Sequence, residues 1–194
     1  MRIGVTGGIG CGKSYVCHLL QTLSGMPLYD CDSEAKRLMQ ATASLRRQLQ
    51  ALVGEEVYDA GGHLDKAVMS RYLFADAEHA AKVNAIVHPA VKADFLAWAE
   101  RQAADVFMES AILVEAGFRD VVDYLVVVDA PLELRIERAM QRDGASRQQV
   151  EARIRQQADP AILLQQADFI VVNDGRDLAP QLVDIPFMNF NNLQ

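Results

Sequence analysis

Short apolar runs rich in β-branched residues alternate along the chain with longer stretches of helical period. Ile3–Thr6, Pro27–Tyr29, Val106–Met108, Tyr124–Val128 and Phe169–Val172 read as buried strands. Helix-period segments separate them, and that alternation predicts a parallel sheet wrapped by helices. From about residue 33 to 101 the rhythm breaks. This stretch is mostly helix-forming, with turn signals at Gly54, Gly61-Gly62 and His88-Pro89, and predicts a helical insertion between the second and third strands. Residues 143–166 are again helix-rich and polar. The expected architecture is a three-layer α/β core over 1–32, 102–142 and 167–194 built on a five-stranded parallel sheet. A helical insertion over 33–101 and a small helical segment over 143–166 complete it. The tail after Pro186 mixes apolar and amide residues and receives no place in this scheme.

Composition narrows the picture. The chain has 194 residues, 51% of them hydrophobic and 23% charged, which suits one domain with an insertion. The longest apolar runs are strand-length and far below the ~20 residues of a membrane span. Met1-Arg2 leads directly into the first strand, so no cleaved leader is expected. Cys11, Cys17 and Cys31 form neither a metal-ligand spacing nor an even disulfide set, and predict a reducing, cytoplasmic setting. The formal charge of −7 argues against a nucleic-acid partner. No sequence feature fixes the oligomeric state, and a monomer is the default expectation.

Gly7-x4-Gly12-Lys13-Ser14 fits the P-loop pattern, with a strand before it and the helical stretch Val16–Leu23 after it. Glycines let backbone N–H groups converge on phosphate oxygens, and a helix N-terminus adds partial positive charge. In such loops the lysine, here Lys13, reaches the β- and γ-phosphates and the serine, Ser14, ligates Mg²⁺.

Two further clusters bear on where the phosphate goes. The second strand ends in Tyr29-Asp30-Cys31-Asp32. Two carboxylates two residues apart in extended chain face the same side. One suits an Mg²⁺-bound water and the other the proton of an acceptor hydroxyl. The same segment also fits a helix N-cap, with Asp32 or Ser33 opening a helix over Glu34–Met39. After Pro131, Leu132, Ile136, Ala139 and Met140 mark a buried helical face, and Arg135, Arg138 and Arg142 stack on another. None of the three arginines has an acid three or four positions away, so either an outside anion or distant carboxylates must compensate them. Arg147, Arg153 and Arg155 follow, a composition suited to a lid that closes over phosphates.

Taken together, these residues resemble the dephospho-CoA kinase family over about residues 1–176. Val5-Thr-Gly-Gly-Ile-Gly-Cys-Gly-Lys-Ser14 is similar to its glycine loop, and Asp30-Cys31-Asp32 to its D-A-D motif. Gly62-His-Leu-Asp-Lys66, Phe74 and His88-Pro89 resemble its insertion landmarks. Ile112–Glu115, Arg138, Arg142-Asp143, Gln157, and Ala167-Asp168 with Asn173 and Gly175 complete the ordered set. The resemblance implies ATP-dependent phosphorylation of the ribose 3′-hydroxyl of dephospho-CoA, giving CoA and ADP, with ATP and Mg²⁺ required. It implies Asp32 as general base supported by Asp30, with Lys13 and Arg142 at the migrating phosphoryl group and Arg138 behind. ATP contacts are implied at Gly8, Ile9, Gly10, Cys11, Gly12, Lys13, Ser14, Tyr15, Arg138, Arg142 and Asn173, the last near the adenine. Acceptor contacts are implied at Thr6, Asp32, Lys66, His88, Leu113 and Glu115, the helical insertion holding dephospho-CoA. A histidine before proline is equally at home in a turn, so His88 has two readings.

Some positions depart from the family pattern: Cys11 for a small Ser or Ala, Tyr15 for Thr, Lys66 for Arg, Ala111 for Pro and Arg135 for Gln. None removes a group the chemistry requires. The alternative within the same class is another small-molecule P-loop kinase, of nucleoside monophosphate or shikimate type. Asp59-Ala-Gly-Gly62 matches the D-x-x-G of GTPases, but no lysine follows Asn or Thr, so the guanine-reading box is absent. A thiol near a helix N-terminus has a lowered pKa as one expectation, which would make Cys11 an oxidisable group close to Cys31. A pair of inert buried thiols is the other reading.

Overall fold

A computed structural model describes residues 1–186, and the chain after Pro186 lies outside the described residues. Strands β1 (Arg2–Thr6), β2 (Leu28–Asp30), β3 (Val106–Glu109), β4 (Tyr124–Asp129) and β5 (Phe169–Val172) form one parallel sheet in the order β2-β3-β1-β4-β5. Four contain an apolar run read above, extended by at most two residues, and β2 is shifted one residue forward from Pro27–Tyr29. The registers Ile3↔Phe107, Val5↔Val126 and Val127↔Ile170 bury β1 and β4 between neighbours. Such strands are covered on both faces, which is why they read as continuous apolar runs rather than alternating ones.

The chain leaves β1 for β2 at the sheet edge, returns to β3, then crosses to β4 on the other side of β1. The connections therefore diverge at the carboxyl end of β1, where open α/β sheets form their ligand crevice. Helix α1 (Lys13–Ser24) packs Val16, Cys17 and Leu20 onto Ile3, Val5, Phe107, Val126 and Val128. It stops at Gly25, whose φ of 70° no β-carbon-bearing residue adopts readily.

The chain divides into two compact units, one of Met1–Tyr29 with the chain from Ala99 onward, the other Asp30–Trp98. The second unit contains α2 (Cys31–Ala41), α3 (Ala43–Val53), α4 (Lys66–Leu73) and most of α5 (Ala77–Glu100). Here one expectation fails: His88-Pro89 is no turn but lies inside α5. Proline removes one helical hydrogen bond and disfavours helix at the residue before it. Val83, Val87, Val91 and Phe95, four apart and buried, form a continuous face whose packing outweighs that local cost. The Asp59–Gly62 match to D-x-x-G is a tight loop closed by the Gly62 N–H on the Asp59 carbonyl at 2.8 Å, beside the lone bridge Tyr58↔Leu64.

In the first unit, α6 (Leu132–Asp143) follows β4, and α7 (Arg147–Arg155) and α8 (Pro160–Gln166) fill the polar 143–166 stretch. Ser146 and Gln149 form a reciprocal capping box on α7, and Asp159 caps α8. The last described helix, α9 (Ala179–Val183), buries Leu182 against the core. No described helix is long and apolar enough to cross a membrane.

Candidate active site

Gly7–Gly12 turns the chain from β1 into α1. Gly10 and Gly12 have φ of 76° and 86°, and a β-carbon would meet the Arg135 carbonyl oxygen at 2.1 Å and Asn173 Nδ2 at 2.3 Å respectively. Only glycine fits there without moving backbone or a buried amide. The Cys11 N–H turns back to the Gly8 carbonyl at 3.2 Å, and the Val16 N–H closes the first helical bond on Gly12 at 3.1 Å. No side chain caps α1. The Lys13 N–H is directed at the Cys11 sulfur, while no protein acceptor meets the N–H groups of Ser14 and Tyr15 among the described residues, and an anion is their natural partner. Tyr15 is 57% exposed.

The loop is buttressed from behind. Asn173, buried just after β5, donates from Nδ2 to the Cys11 carbonyl at 2.9 Å. Arg138 donates to the Asn173 carbonyl at 3.0 Å and to Oδ1 at 3.3 Å. Arg135 Nε donates to the Ile9 carbonyl at 3.0 Å. The reading of α6 needs correction on this point. Arg135, expected on a charged outer stripe, is only 5% exposed, whereas Leu132, expected inside, is 53% exposed. The P-loop carbonyl offers a polar partner that periodicity does not reveal. Arg142 pairs with Asp143 at 2.7 Å, which holds its guanidinium charged to still higher pH. Arg147 pairs with Glu133 and Glu151, and Arg153 with Asp143. Carboxylates and carbonyls thus compensate much of the basic stripe without an outside anion.

Cys11 is buried, and burial pushes its thiol up, outweighing the nearby Lys13 charge. The expectation of a lowered pKa at this helix N-terminus is overturned: desolvation of the thiolate dominates. Thr6, at the end of β1, is fully buried and its hydroxyl has no hydrogen-bond partner among the described residues. Leu113 is also fully buried, its side chain against the Gly4 position of β1, so any acceptor contact there belongs to its backbone. Glu115 accepts the Ala158 N–H at 3.3 Å and lines a small pocket with Gly7, Gly8, Asp129, Arg135 and Gln157.

In the second unit, Asp30 is the N-cap of α2. Its Oδ1 accepts from the Asp32 N–H at 3.0 Å and the Ser33 N–H at 3.3 Å, and its Oδ2 from the Ser33 hydroxyl at 2.8 Å. The segment is thus not extended through Asp32, and the cap is Asp30 rather than Asp32 or Ser33. Helix begins at Cys31 because Asp30 satisfies its first donors. The Asp32 carboxylate is exposed on the first turn and has no protein partner among the described residues. Lys66 is exposed at the start of α4, beside its capping Asp65. His88 is half-buried on α5, and burial lowers its pKa.

Among the described residues no group of three or more His, Cys, Asp or Glu side chains is placed to hold a metal. The Ser14 hydroxyl on the first turn of α1 is a single hard oxygen donor, the kind of ligand that suits Mg²⁺ alongside phosphates and waters.

The dephospho-CoA kinase family model matches residues 1–178. A protein named dephospho-CoA kinase from Bacteroides fragilis is 47% identical over 188 residues, 95% of this chain and 91% of its own. The crystal structure of TT1252 from Thermus thermophilus superposes with a TM-score of 0.79 at 33% identity, covering 94% of this chain and 92% of that one. A dephospho-CoA kinase structure from Campylobacter jejuni shares the fold, with a TM-score of 0.69 at 24% identity and coverage of 94% and 93%. With its P-loop intact and a family match spanning nearly the whole described chain, the protein belongs to the dephospho-CoA kinase family.

Proposed function

We propose that the protein transfers the γ-phosphoryl group of ATP to the ribose 3′-hydroxyl of dephospho-CoA, giving CoA and ADP. The observation that carries this is the uncapped, glycine-turned entry to α1, with Lys13 and Ser14 at its first two positions, in a chain of this family. Backbone donors of α1 and the Lys13 ammonium bind the triphosphate. The Ser14 hydroxyl is the protein ligand proposed for Mg²⁺, which when bound neutralises charge on the β- and γ-phosphates. Phosphoryl transfer asks the protein mainly for positioning and charge neutralisation, and Arg142 and Arg138 serve the second need. Arg142 exchanges Asp143 for the phosphoryl oxygens.

Asp32 is the proposed general base. Its unpaired carboxylate accepts the proton of the attacking hydroxyl, while Asp30, fully engaged as a cap, fixes the start of the helix that carries it. The unit Asp30–Trp98 is the proposed holder of dephospho-CoA, with Lys66 and His88 as contacts. Residues 143–166 act as the lid that excludes water, since water would hydrolyse ATP without acceptor. The buried, unpartnered Thr6 hydroxyl supports a polar role for it at the mouth of β1. We place the enzyme in the cytoplasm, acting on a small-molecule substrate, as a monomer and without nucleic-acid or membrane partners.

Product analysis tests the assignment. Incubation with ATP, Mg²⁺ and dephospho-CoA is expected to yield CoA carrying its new phosphate on the 3′-oxygen, located by a 3′-nucleotidase. A phosphate elsewhere, or none, contradicts it.

A further inference from the structure

Both peptide groups of Ile9, in the P-loop, are held by side chains from elsewhere in the same unit. Its N–H donates to Gln157 Oε1 at 2.7 Å, and its carbonyl accepts from Arg135 Nε at 3.0 Å. The two side chains approach from different elements. Arg135 belongs to α6 and runs along the loop, its terminal nitrogen filling the space over Gly8. Gln157 follows α7, fixed by its own N–H on the Ile154 carbonyl at 3.1 Å, and the next residue is tied to Glu115 through the Ala158 N–H.

Ile9 sits between Gly8 and Gly10. Glycines on both sides impose little steric preference, so the peptide planes around Ile9 can rotate at low cost. Rotation would redirect a carbonyl dipole and an N–H dipole beside the triphosphate, and a preorganised anion site depends on those directions. Two hydrogen bonds at opposite ends of one residue remove that freedom.

We infer that Gln157 and Arg135 are positioning residues for phosphoryl transfer. Together they hold the Ile9 peptides in one orientation, and Gln157 makes that orientation depend on where residues 143–166 sit. P-loop geometry and lid position are thereby coupled through a single residue. The catalytic consequence rests on the kinase reading above, whereas the clamp itself is a property of the ligand-free chain.

The test uses the full chain and two readouts. Amide hydrogen exchange at Ile9 is measured without ligand, in the wild type, Gln157→Leu, which removes the acceptor, and Gln157→Glu, which keeps one. The clamp predicts a protected Ile9 amide, exchange about tenfold faster in Gln157→Leu, and protection restored in Gln157→Glu. Steady-state kinetics then separate positioning from general damage. Gln157→Leu is expected to lower kcat/KM for ATP about five- to tenfold while leaving KM for dephospho-CoA within about twofold. Arg135→Met is expected to lower it similarly, and the double variant little further, because both bonds serve one residue. Should Arg135→Met not fold, Arg135→Gln, which retains an N–H donor, takes its place and is expected to stay near wild type. An unprotected wild-type Ile9 amide, or a Gln157→Leu variant unchanged in both readouts, overturns the inference. A wild type with a protected Ile9 amide that binds ATP yet fails to phosphorylate dephospho-CoA would instead contradict the functional reading.

Discussion

Asp30 and Asp32 stand two positions apart and carry different loads. Asp30 spends both carboxylate oxygens on the start of α2, while Asp32 is exposed and has no protein partner among the described residues. Replacing Asp32 by Asn is expected to lower turnover about a hundredfold, the usual worth of a positioned base, with KM for ATP nearly unchanged. Unchanged turnover in a steady-state assay would reduce Asp32 to a surface residue of the helix. The residue types were legible in the sequence, but their division of labour was not. An Asx cap depends on where the helix starts, and that start moved forward to Cys31 once Asp30 satisfied its first donors. His88 gives a pH-dependent prediction. Burial favours its neutral form in the fold, so the unfolded chain binds its proton more readily. Stability therefore falls as pH drops below about 6.5, the ordinary histidine value, and levels off below the folded pKa. Thermal melts from pH 7.5 to 5.5 are expected to show a shallower decline in His88→Gln than in the wild type. An identical decline would remove burial of the neutral imidazole as its cause.

At the scale of elements, α6 and the residue just after β5 brace the P-loop through Arg135, Arg138 and Asn173. The spacing of Arg135, Arg138 and Arg142 was readable along the chain, but the Ile9 and Asn173 acceptors are distant in sequence and leave no local trace. Asn173 joins the two elements, holding the Cys11 carbonyl with one amide end and Arg138 with the other. Asn173→Ala is expected to cost about 1–3 kcal/mol of stability, because it leaves a buried carbonyl and guanidinium short of partners. It is also expected to raise KM for ATP severalfold; denaturant melts and ATP titrations check both, and wild-type values in each would contradict the buttress. Helix α5 teaches the reverse lesson. His88-Pro89 carried a genuine local turn signal, overruled by a buried stripe that only a longer window would have weighted correctly.

For the whole molecule, the parallel sheet was legible because strands buried on both faces must be apolar throughout, and the five runs were separated by helical segments. The 143–166 segment was legible as helical through its polar, helix-forming composition and lack of a strand-like run. Its links back to the P-loop, through Gln157, and to Glu115, through the Ala158 N–H, were not, since they join residues 148 and 43 positions apart and leave no local trace. The central claim is that this scaffold directs phosphate to the ribose hydroxyl of dephospho-CoA and not to water or another small acceptor. ADP release from ATP and Mg²⁺, measured with each acceptor in turn, tests it most directly. The account predicts strong stimulation by dephospho-CoA and little by AMP or shikimate, with GTP a poor replacement for ATP. Stimulation by AMP or shikimate with none by dephospho-CoA would contradict it.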